Sequence, residues 1–249
     1  MWSGPRNIST AMMRAWENRS DTFVTDEPFY AHYLAHTRLD HPGREAILKS
    51  QSTDWREVAT DCIKITEADH AIHYQKHMTQ HILGHIELDW LTALHNIFLI
   101  RSPQEVINSY AKSRPELNAS DLGFEQQARL FQFVRNNIEE QPLVISSADL
   151  LKNPRTALTI MCEHCGIAFD ENMLSWPPGK RESDGVWSPW WYHNVERSSG
   201  FEPPTEERKI SLNLEQQNIA DECHIHFDLL AKYAVKLDNN DHTGNYSNG

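Results

Sequence analysis

The sequence has no excess of basic residues and no long apolar run, and each shortage excludes a class of protein. Its 249 residues include 23 Lys and Arg against 35 Asp and Glu, which gives a formal net charge of −12. We therefore expect neither nucleic acid nor an anionic membrane as the main partner, because both repel an acidic surface. No apolar segment approaches the roughly 18 residues that a membrane-spanning helix requires. No secretory signal is visible, so we expect a cytoplasmic protein.

Cysteine is also scarce, and four residues in a chain of this length do not indicate a disulfide framework. Two of them, Cys162 and Cys165, could form a zinc site with Cys223 and His226. However, Cys162 and Cys165 lie at the end of a predicted helix, where their spacing turns both toward the core. Buried structural thiols are therefore the better interpretation, and we expect no metal.

Aromatic residues compensate for a hydrophobic content of only 39%, since eight Trp, nine Phe and seven Tyr supply bulk for a core. The length of the chain fits one domain. We assign residues 1–236 to that domain and expect the polar residues 237–249 to form a disordered tail.

Strands alternate with helices along most of the chain. Strands are predicted at 22–25, 96–100 and 143–145, at one of the segments 62–66 and 72–75, and over little more than Met1 and Trp2. Helices are predicted at 30–36, 44–49, 55–62, 87–95, 124–140, 153–166 and 214–236, with a structured loop at 176–208. This alternation predicts an α/β fold, a three-layer sandwich whose mostly parallel central sheet is covered on both faces.

The first ten residues predict a site for an anion. Gly4 and Pro5 form a tight turn and a helix begins at Ser9 and Thr10, so backbone N–H groups and the positive end of the helix point to one place. Arg6 can add a forked donor for a phosphate or sulfate. The segment is not a Walker-type loop, because the second glycine and the lysine of that motif are missing.

A second corner of the same kind begins at Arg101. A short apolar strand ends there, Pro103 fits the first helical turn, and Ser109 lies two turns inside the helix. Arg101 can pair bidentately with a phosphate while the Ser109 hydroxyl donates a hydrogen bond. Two strand-to-helix corners with these side chains predict a ligand that carries two anionic groups.

A third segment, around Lys76 and His77, places a cation beside a titratable imidazole after a predicted strand. The chain has 14 histidines, so His77 alone is more typical of a structural or solvated residue than of a catalytic one.

Together these segments resemble the sulfotransferases that use 3′-phosphoadenosine 5′-phosphosulfate (PAPS). The first loop of that superfamily has the pattern Pro-Lys-Ser-Gly-Thr-Thr. Residues 5–10 lie on it, with Arg6 in place of the lysine and Ile8 in place of the glycine. The motif that holds the 3′-phosphate has Arg and Ser eight residues apart, as Arg101 and Ser109 are.

A further motif of the superfamily grips the 3′-phosphate with Arg-Lys-Gly and a later Trp. Lys180 and Arg181 with Trp187 have that spacing, and Glu182 replaces the glycine. We expect Trp187 to pack the loop against the core. The neighbouring residues 190 and 191 are also Trp and could either pack or form a wall for the acceptor.

The resemblance leaves two candidate bases. Cytosolic members carry a Lys-Ser/Thr-His stretch whose histidine is the base, and Lys76-His77 is similar although the lysine is adjacent. In other branches a glutamate after the second strand takes the acceptor proton, and Glu27 stands in the equivalent place. Alternatively, an acidic residue at this position only interacts favourably with the positive end of a helix dipole and has no catalytic role.

Several segments resemble one branch of the superfamily more closely. Residues 2–13, 26–33, 75–78 and 185–192 look like a bacterial and plant branch of sulfotransferase-like proteins, some of whose plant members are fused to an aminotransferase domain. The resemblance runs from residue 1 to about residue 201.

The resemblance implies a P-loop NTPase-like fold and transfer of a sulfuryl group from PAPS to a hydroxyl or amine of a small acceptor, with no metal. In that case Arg6 and Lys76 stabilise the developing charge, and His77 or Glu27 accepts the proton. The residues implied in binding PAPS are Pro5, Arg6, Asn7, Ile8, Ser9, Thr10, Arg101, Ser109, Lys180 and Arg181. The alternatives are a P-loop-like kinase or nucleotide-binding protein and a non-catalytic nucleotide-binding module. The sequence indicates no oligomeric state.

Overall fold

A parallel sheet of five strands forms the centre of the protein. The computed structural model describes residues 1–64, 71–111, 117–203 and 210–237. The strands are β1 Trp2–Ser3, β2 Thr22–Asp26, β3 Ile72–Met78, β4 Ile97–Ile100 and β5 Leu143–Ser146. They lie in the order β2-β3-β1-β4-β5, and every neighbouring pair is parallel. This confirms the predicted α/β fold.

Helices connect the strands. In the described part of the chain the α-helices are α1 Ser9–Glu17, α2 Tyr30–Thr37, α3 Arg44–Ser50, α4 Trp55–Ile63, α5 Pro103–Tyr110, α6 Ala119–Leu122, α7 Phe124–Asn137, α8 Ser147–Lys152, α9 Pro154–His164, α10 Ser188–Trp191 and α11 Leu214–Ala231. Short 3₁₀ turns cover Thr79–His81, Asp89–Ala93, Glu171–Leu174 and Val195–Arg197. None of the helices described combines the length and apolar character needed to cross a bilayer.

Alternation along β4 shows how the sheet separates two core layers. Ile97 and Leu99 pack on one face with apolar residues of α1, α2 and α9. Phe98 and Ile100 pack on the other face with apolar residues of α4, α7 and α11. Because successive side chains of a strand point to opposite faces, a strand buried on both sides is a continuous apolar run. The three layers agree with the predicted sandwich.

The central strand β1 is only two residues long and is held by side chains as well as by its neighbours. It pairs with β3 on one side and β4 on the other. The Trp2 indole Nε1 donates to Asn96 Oδ1 at 2.9 Å, and Gln127 Nε2 donates to the carbonyls of Trp2 and Leu99 at 3.1 and 3.0 Å. These bonds fix the end of β1 beside the end of β4.

One of the two alternative strands is in the sheet, and one predicted helix differs from the structure. The segment 72–75 belongs to β3, whereas Cys62 and Ile63 of the other segment are the end of α4; residues 65 and 66 lie outside the described part of the chain. Asp54 accepts a hydrogen bond from the Arg56 N–H and begins α4, and the buried residues Trp55, Val58, Ala59 and Cys62 continue it at helical spacing. The helix expected at 87–95 is instead a 3₁₀ turn over Asp89–Ala93.

Two further expectations lie partly outside the described residues. The tail expected at 237–249 is described only at Leu237, and the loop expected at 176–208 is described up to residue 203.

All five strands run in the same direction, so their carboxyl ends form one edge of the sheet. The connections from β1 to α1, from β4 to α5 and from β5 to α8 leave the sheet at that edge. Ligands of open parallel sheets bind there, and the two predicted anion-binding corners meet at this edge.

Two glycines with the same backbone conformation test how tightly this edge is packed. Gly123 and Gly166 have φ of 70° and 68°. A Cβ on Gly123 would lie 2.6 Å from Thr79 Oγ1 and 2.8 Å from the Gln80 N, whereas nothing lies within 4 Å of one on Gly166. We expect Gly166→Ala to lower the free energy of unfolding by about 1–2 kcal/mol through the left-handed backbone alone. Gly123→Ala should lose the same amount and about 1–3 kcal/mol more, because its Cβ would also overpack the site.

Urea unfolding followed by circular dichroism measures both variants. Equal losses in the two variants would contradict the packing described around Gly123.

Candidate active site

A cavity of about 400 Å³ opens at the carboxyl edge of the sheet. Polar, charged and aromatic residues line it together. The lining residues used below are Pro5, Arg6, Asn7, Ile8, Ser9, Thr10, Glu27, Tyr30, His41, Lys76, His81, Arg101, Ser109, Trp191, Tyr192, Phe201 and Glu202. The cavity therefore brings together both predicted corners, Lys76 and one of the two predicted bases.

The turn between β1 and α1 has a strained backbone. Arg6 and Ile8 both have positive φ, at 59° and 52°, and this conformation is uncommon for a β-branched residue such as Ile8. Ile8 is also the residue that precedes α1. Left-handed residues in such a turn aim successive backbone N–H groups into one concavity, which favours an anion. The strain is thus located where the sequence predicts an anion.

Contacts from β4 and the residue after it hold this turn. Asn7 Nδ2 donates to the Leu99 carbonyl at 2.6 Å, and Arg101 Nη1 donates to the Arg6 carbonyl at 2.8 Å. Arg6 Nε in turn donates to Ser109 Oγ at 3.1 Å. The two predicted corners are therefore one connected structure.

Arg6 and Arg101 place two positive charges side by side. Burial, followed by the nearby charge of Arg101, lowers the pKa of Arg6 below its usual value. Arg101 Nε lies 3.6 Å from Glu105 Oε2, whereas Arg6 has no carboxylate partner among the described residues. Two adjacent guanidinium groups with one partial counter-charge favour a bound anion.

Lys76 lies at the centre of a buried charge network beside these arginines. Its Nζ donates to Asp26 Oδ1 at 2.9 Å, Glu27 Oε1 at 2.6 Å and the Tyr192 hydroxyl at 2.6 Å. Tyr192 donates to Asp26 Oδ2 at 2.7 Å. Burial disfavours the charge of Lys76, but Asp26 and Glu27 outweigh it and raise its pKa. The lysine is therefore a cation at neutral pH.

Glu27 has the properties of a general base. Its φ is 40°, and its backbone is fixed because its N–H donates to the Lys76 carbonyl at 2.9 Å and its carbonyl accepts from Gln51 Nε2 at 3.1 Å. Burial raises the pKa of Glu27, and the attraction of Lys76 offsets this only in part. A carboxylate with a raised pKa in a cavity is a frequent proton acceptor.

His81 accompanies Glu27 in the cavity. Its Nδ1 lies 4.0 Å from Glu27 Oε2, and its ring stacks between Tyr30 and Tyr33 at centroid distances of 4.5 and 4.8 Å. Burial lowers the pKa of His81 well below its usual value. The ring is therefore neutral at pH 7 and adds no charge beside Glu27.

The structure does not bring the other candidate base, His77, to the cavity. Its ring stacks on Trp2 at 4.3 Å, and its Nε2 bonds to Gln75 Oε1 at 3.0 Å. The reason is the period of two along β3: Lys76 faces the cavity, so its neighbour faces the opposite side of the sheet. Burial lowers the pKa of His77 well below its usual value.

The structure also leaves Lys180 and Arg181 outside the cavity lining. Lys180 is exposed, and Arg181 Nε lies 3.7 Å from Glu17 Oε2 on α1. Trp187 is buried and its Nε1 donates to the Tyr192 hydroxyl at 3.1 Å, so it packs the loop as expected. Of the two remaining tryptophans, Trp191 lines the cavity; the other, residue 190, is largely exposed.

The cysteines considered for zinc are separated by the packing. Cys162 belongs to the core layer around α9, and Cys223 belongs to a different apolar cluster under α11. Both thiols are buried, and burial raises the pKa of Cys162 to about 11.

Sequence reasoning missed Tyr192, Tyr30 and His81. Tyr192 comes from a loop far along the chain, and no local pattern indicates its contact with Lys76. His81 had a weak signal, because it lies in the same short segment as Lys76 and follows the end of β3 at the cavity edge.

Comparisons with known proteins agree with this geometry. A family model described as a sulfotransferase domain matches residues 1–212. Two proteins of Arabidopsis thaliana, named branched-chain-amino-acid aminotransferase-like proteins 1 and 2, are 32% and 29% identical over 203 residues, or 82% of this chain. The chain spans about a third of the length of these relatives, since the match covers 36% of each.

A solved structure has a similar fold. The sulfotransferase domain from the Synechococcus PCC 7002 olefin synthase aligns over 89% of this chain and 92% of its own, with a TM-score of 0.57 and 18% identity. At that identity the likeness concerns the fold alone.

Replacing Lys76 tests the buried network. Lys76→Met leaves Asp26 and Glu27 buried without their cation, so we expect the free energy of unfolding at pH 7 to fall by about 3–5 kcal/mol. Arg155→Met is the matched control, because it breaks the exposed ion pair between Arg155 and Glu171 and should change stability little. Denaturant unfolding measures both. Similar small losses in the two variants would contradict the network.

Proposed function

The chain belongs to the sulfotransferase domain family, and from this premise we propose that it transfers a sulfuryl group from PAPS to a hydroxyl or amine of a small acceptor. The observation that carries the proposal is the contact of the two corners: Arg6 bonds to Ser109, and Arg101 bonds to the Arg6 carbonyl. A nucleotide with anionic groups at both its 5′ and 3′ positions can occupy both corners at once.

In this proposal the turn after β1 holds the 5′ end of PAPS. The N–H groups at the start of α1, around Ser9 and Thr10, and the helix dipole favour the negative oxygens there. Arg101 and Ser109 hold the 3′-phosphate through a guanidinium and a hydroxyl. Neither Lys180 nor Arg181 lines the cavity, so the proposal assigns no contact to them.

Glu27 is the proposed base. It takes the proton from the acceptor hydroxyl or amine as the acceptor atom bonds to sulfur and the bond from sulfur to the 5′-phosphate oxygen breaks. Negative charge then grows on that oxygen, and Arg6, the N–H groups of the turn and Lys76 stabilise it. The products are a sulfate ester or sulfamate and adenosine 3′,5′-bisphosphate.

The aromatic part of the cavity lining fits a small acceptor. Tyr30, Trp191 and Phe201 give it apolar walls, while His41 and Glu202 supply polar groups. Tyr30 is itself fixed, because its hydroxyl lies 2.8 Å from His41 Nδ1. An acceptor with an apolar body and one reactive polar group suits these walls.

Binding of the spent nucleotide tests the donor. We expect adenosine 3′,5′-bisphosphate to raise the melting temperature, corresponding to about 2.7 kcal/mol at 100 times its dissociation constant, and ATP with Mg²⁺ to have little effect. Arg101→Ala should weaken binding of the bisphosphate at least about tenfold, because a charged hydrogen bond is lost. Arg155→Met, which alters an exposed pair, is the control.

Differential scanning fluorimetry with titration of each nucleotide measures these shifts. Stabilisation by ATP with Mg²⁺ alone would favour a kinase or another nucleotide-binding protein. Unchanged binding in Arg101→Ala would reject the assignment of the 3′-phosphate.

A pH profile tests the base. Because burial raises the pKa of Glu27 above 4.5, kcat should fall as the pH decreases through a value above 4.5. Glu27→Gln should lower kcat by about 10²–10⁴-fold, while a folded His77→Gln variant should keep most of its activity. Transfer of labelled sulfate from PAPS to a panel of phenols and amines measures the rate. Loss of activity in His77→Gln but not in Glu27→Gln would overturn the assignment.

A further inference from the structure

Three histidines converge on the outer side of α2, at a place separate from the cavity lining. His32 and His36 lie four residues apart on α2, so they share one face of the helix. His85 comes from the loop after the 3₁₀ turn Thr79–His81. One ring nitrogen of each lies within 4.8 Å of one ring nitrogen of the other two. Such a cluster is a typical ligand set for a transition-metal ion.

Hydrogen bonds already orient two of the rings. His32 Nδ1 lies 2.8 Å from the Thr53 carbonyl, and His36 Nδ1 lies 2.9 Å from the His32 carbonyl. A carbonyl only accepts, so each Nδ1 carries the proton and each Nε2 keeps its lone pair. Backbone carbonyls perform this function behind the histidine ligands of known metal sites.

The third ring faces the first. His85 Nε2 lies 3.1 Å from His32 Nε2. Its loop is fixed by Arg129, which donates to the carbonyls of Ile82, Leu83 and Gly84 at 3.2, 3.0 and 2.9 Å. The backbone that presents His85 is therefore held in place beside α2.

We propose that His32, His36 and His85 bind one divalent transition-metal ion, with Zn²⁺ as the best match. Zinc bonds to histidine nitrogen at about 2.0–2.1 Å, which places two tetrahedral ligand atoms about 3.3 Å apart. The distance between the Nε2 atoms of His32 and His85 nearly has that value. Binding requires the exposed His36 ring to move closer from within 4.8 Å while it keeps its hydrogen bond to the His32 carbonyl. Three histidines leave the fourth position for water.

The surroundings admit an ion from solvent. His36 and His85 are exposed, while His32 is buried at the base of the group. Asp54 and Arg56 line the same depression, and the Arg56 guanidinium lies over the Trp55 ring at 4.4 Å. The depression is thus open and polar.

A bound ion would connect α2 to the loop that follows His81. Tyr30 at the start of α2 and His81 both line the cavity, so the ion would stabilise the wall of the cavity from outside. The metal proposal does not depend on sulfuryl transfer.

Metal titration tests the site on the purified chain of 249 residues after removal of bound metals with a chelator. We expect one Zn²⁺ per chain by equilibrium dialysis and elemental analysis, and a rise in melting temperature with Zn²⁺. Co²⁺ should give the visible absorption of a tetrahedral site without a sulfur-to-metal charge-transfer band, because no thiolate is involved. His36→Ala and His85→Ala should each weaken Zn²⁺ binding at least about tenfold.

His95→Ala is the matched control, because His95 is exposed but lies outside the cluster. The Zn²⁺ affinity of this variant should equal that of the unmodified chain. Circular dichroism checks that each variant is folded. No stoichiometric binding, a cobalt–thiolate band, or equal affinity in His85→Ala, His36→Ala and His95→Ala would each overturn the proposal.

Discussion

The turn between β1 and α1 keeps its shape because β4 and the residue that follows it hold the turn from the side. Arg6 and Ile8 both have left-handed backbone, which costs about 1–3 kcal/mol each. Asn7 donates to the carbonyl of Leu99, and Arg101 donates to the carbonyl of Arg6. The corner that shapes the turn also supplies a second cation, so the form of the cavity and its positive charge arise from one contact between two strand-to-helix units.

The buried network around Lys76 determines the charges in the cavity next to that contact. The sheet places Asp26 at the end of β2 directly opposite Lys76 on β3, and Tyr192 closes the group from a distant loop. Burial strengthens these ion pairs and at the same time raises the pKa of Glu27. An acidic protein thereby keeps Arg6, Arg101, Lys76 and a buried carboxylate within one cavity.

Local signals in the sequence were sufficient for the sheet and for the two corners. β4 is a short apolar run that ends in Arg101, and Pro103 marks the start of the next helix. Of the two candidate strands at 62–66 and 72–75, the second joins the sheet as β3, whereas the cap at Asp54 and helical spacing extend α4 to Ile63. Contacts between distant segments, such as Tyr192 with Lys76 or the meeting of three histidines, depend on tertiary packing that no local pattern encodes. By contrast, the alternation of side chains along β3 could have predicted that Lys76 and its neighbour His77 face opposite sides of the sheet.

The measurement that tests the central claim most directly is a crystal structure of the chain with adenosine 3′,5′-bisphosphate. The account predicts one nucleotide at the carboxyl edge of the sheet, with its 5′-phosphate at the N–H groups of residues 6–10 and its 3′-phosphate in contact with the Arg101 guanidinium and the Ser109 hydroxyl. Density for the nucleotide elsewhere, or a 3′-phosphate that contacts neither of these side chains, would contradict it.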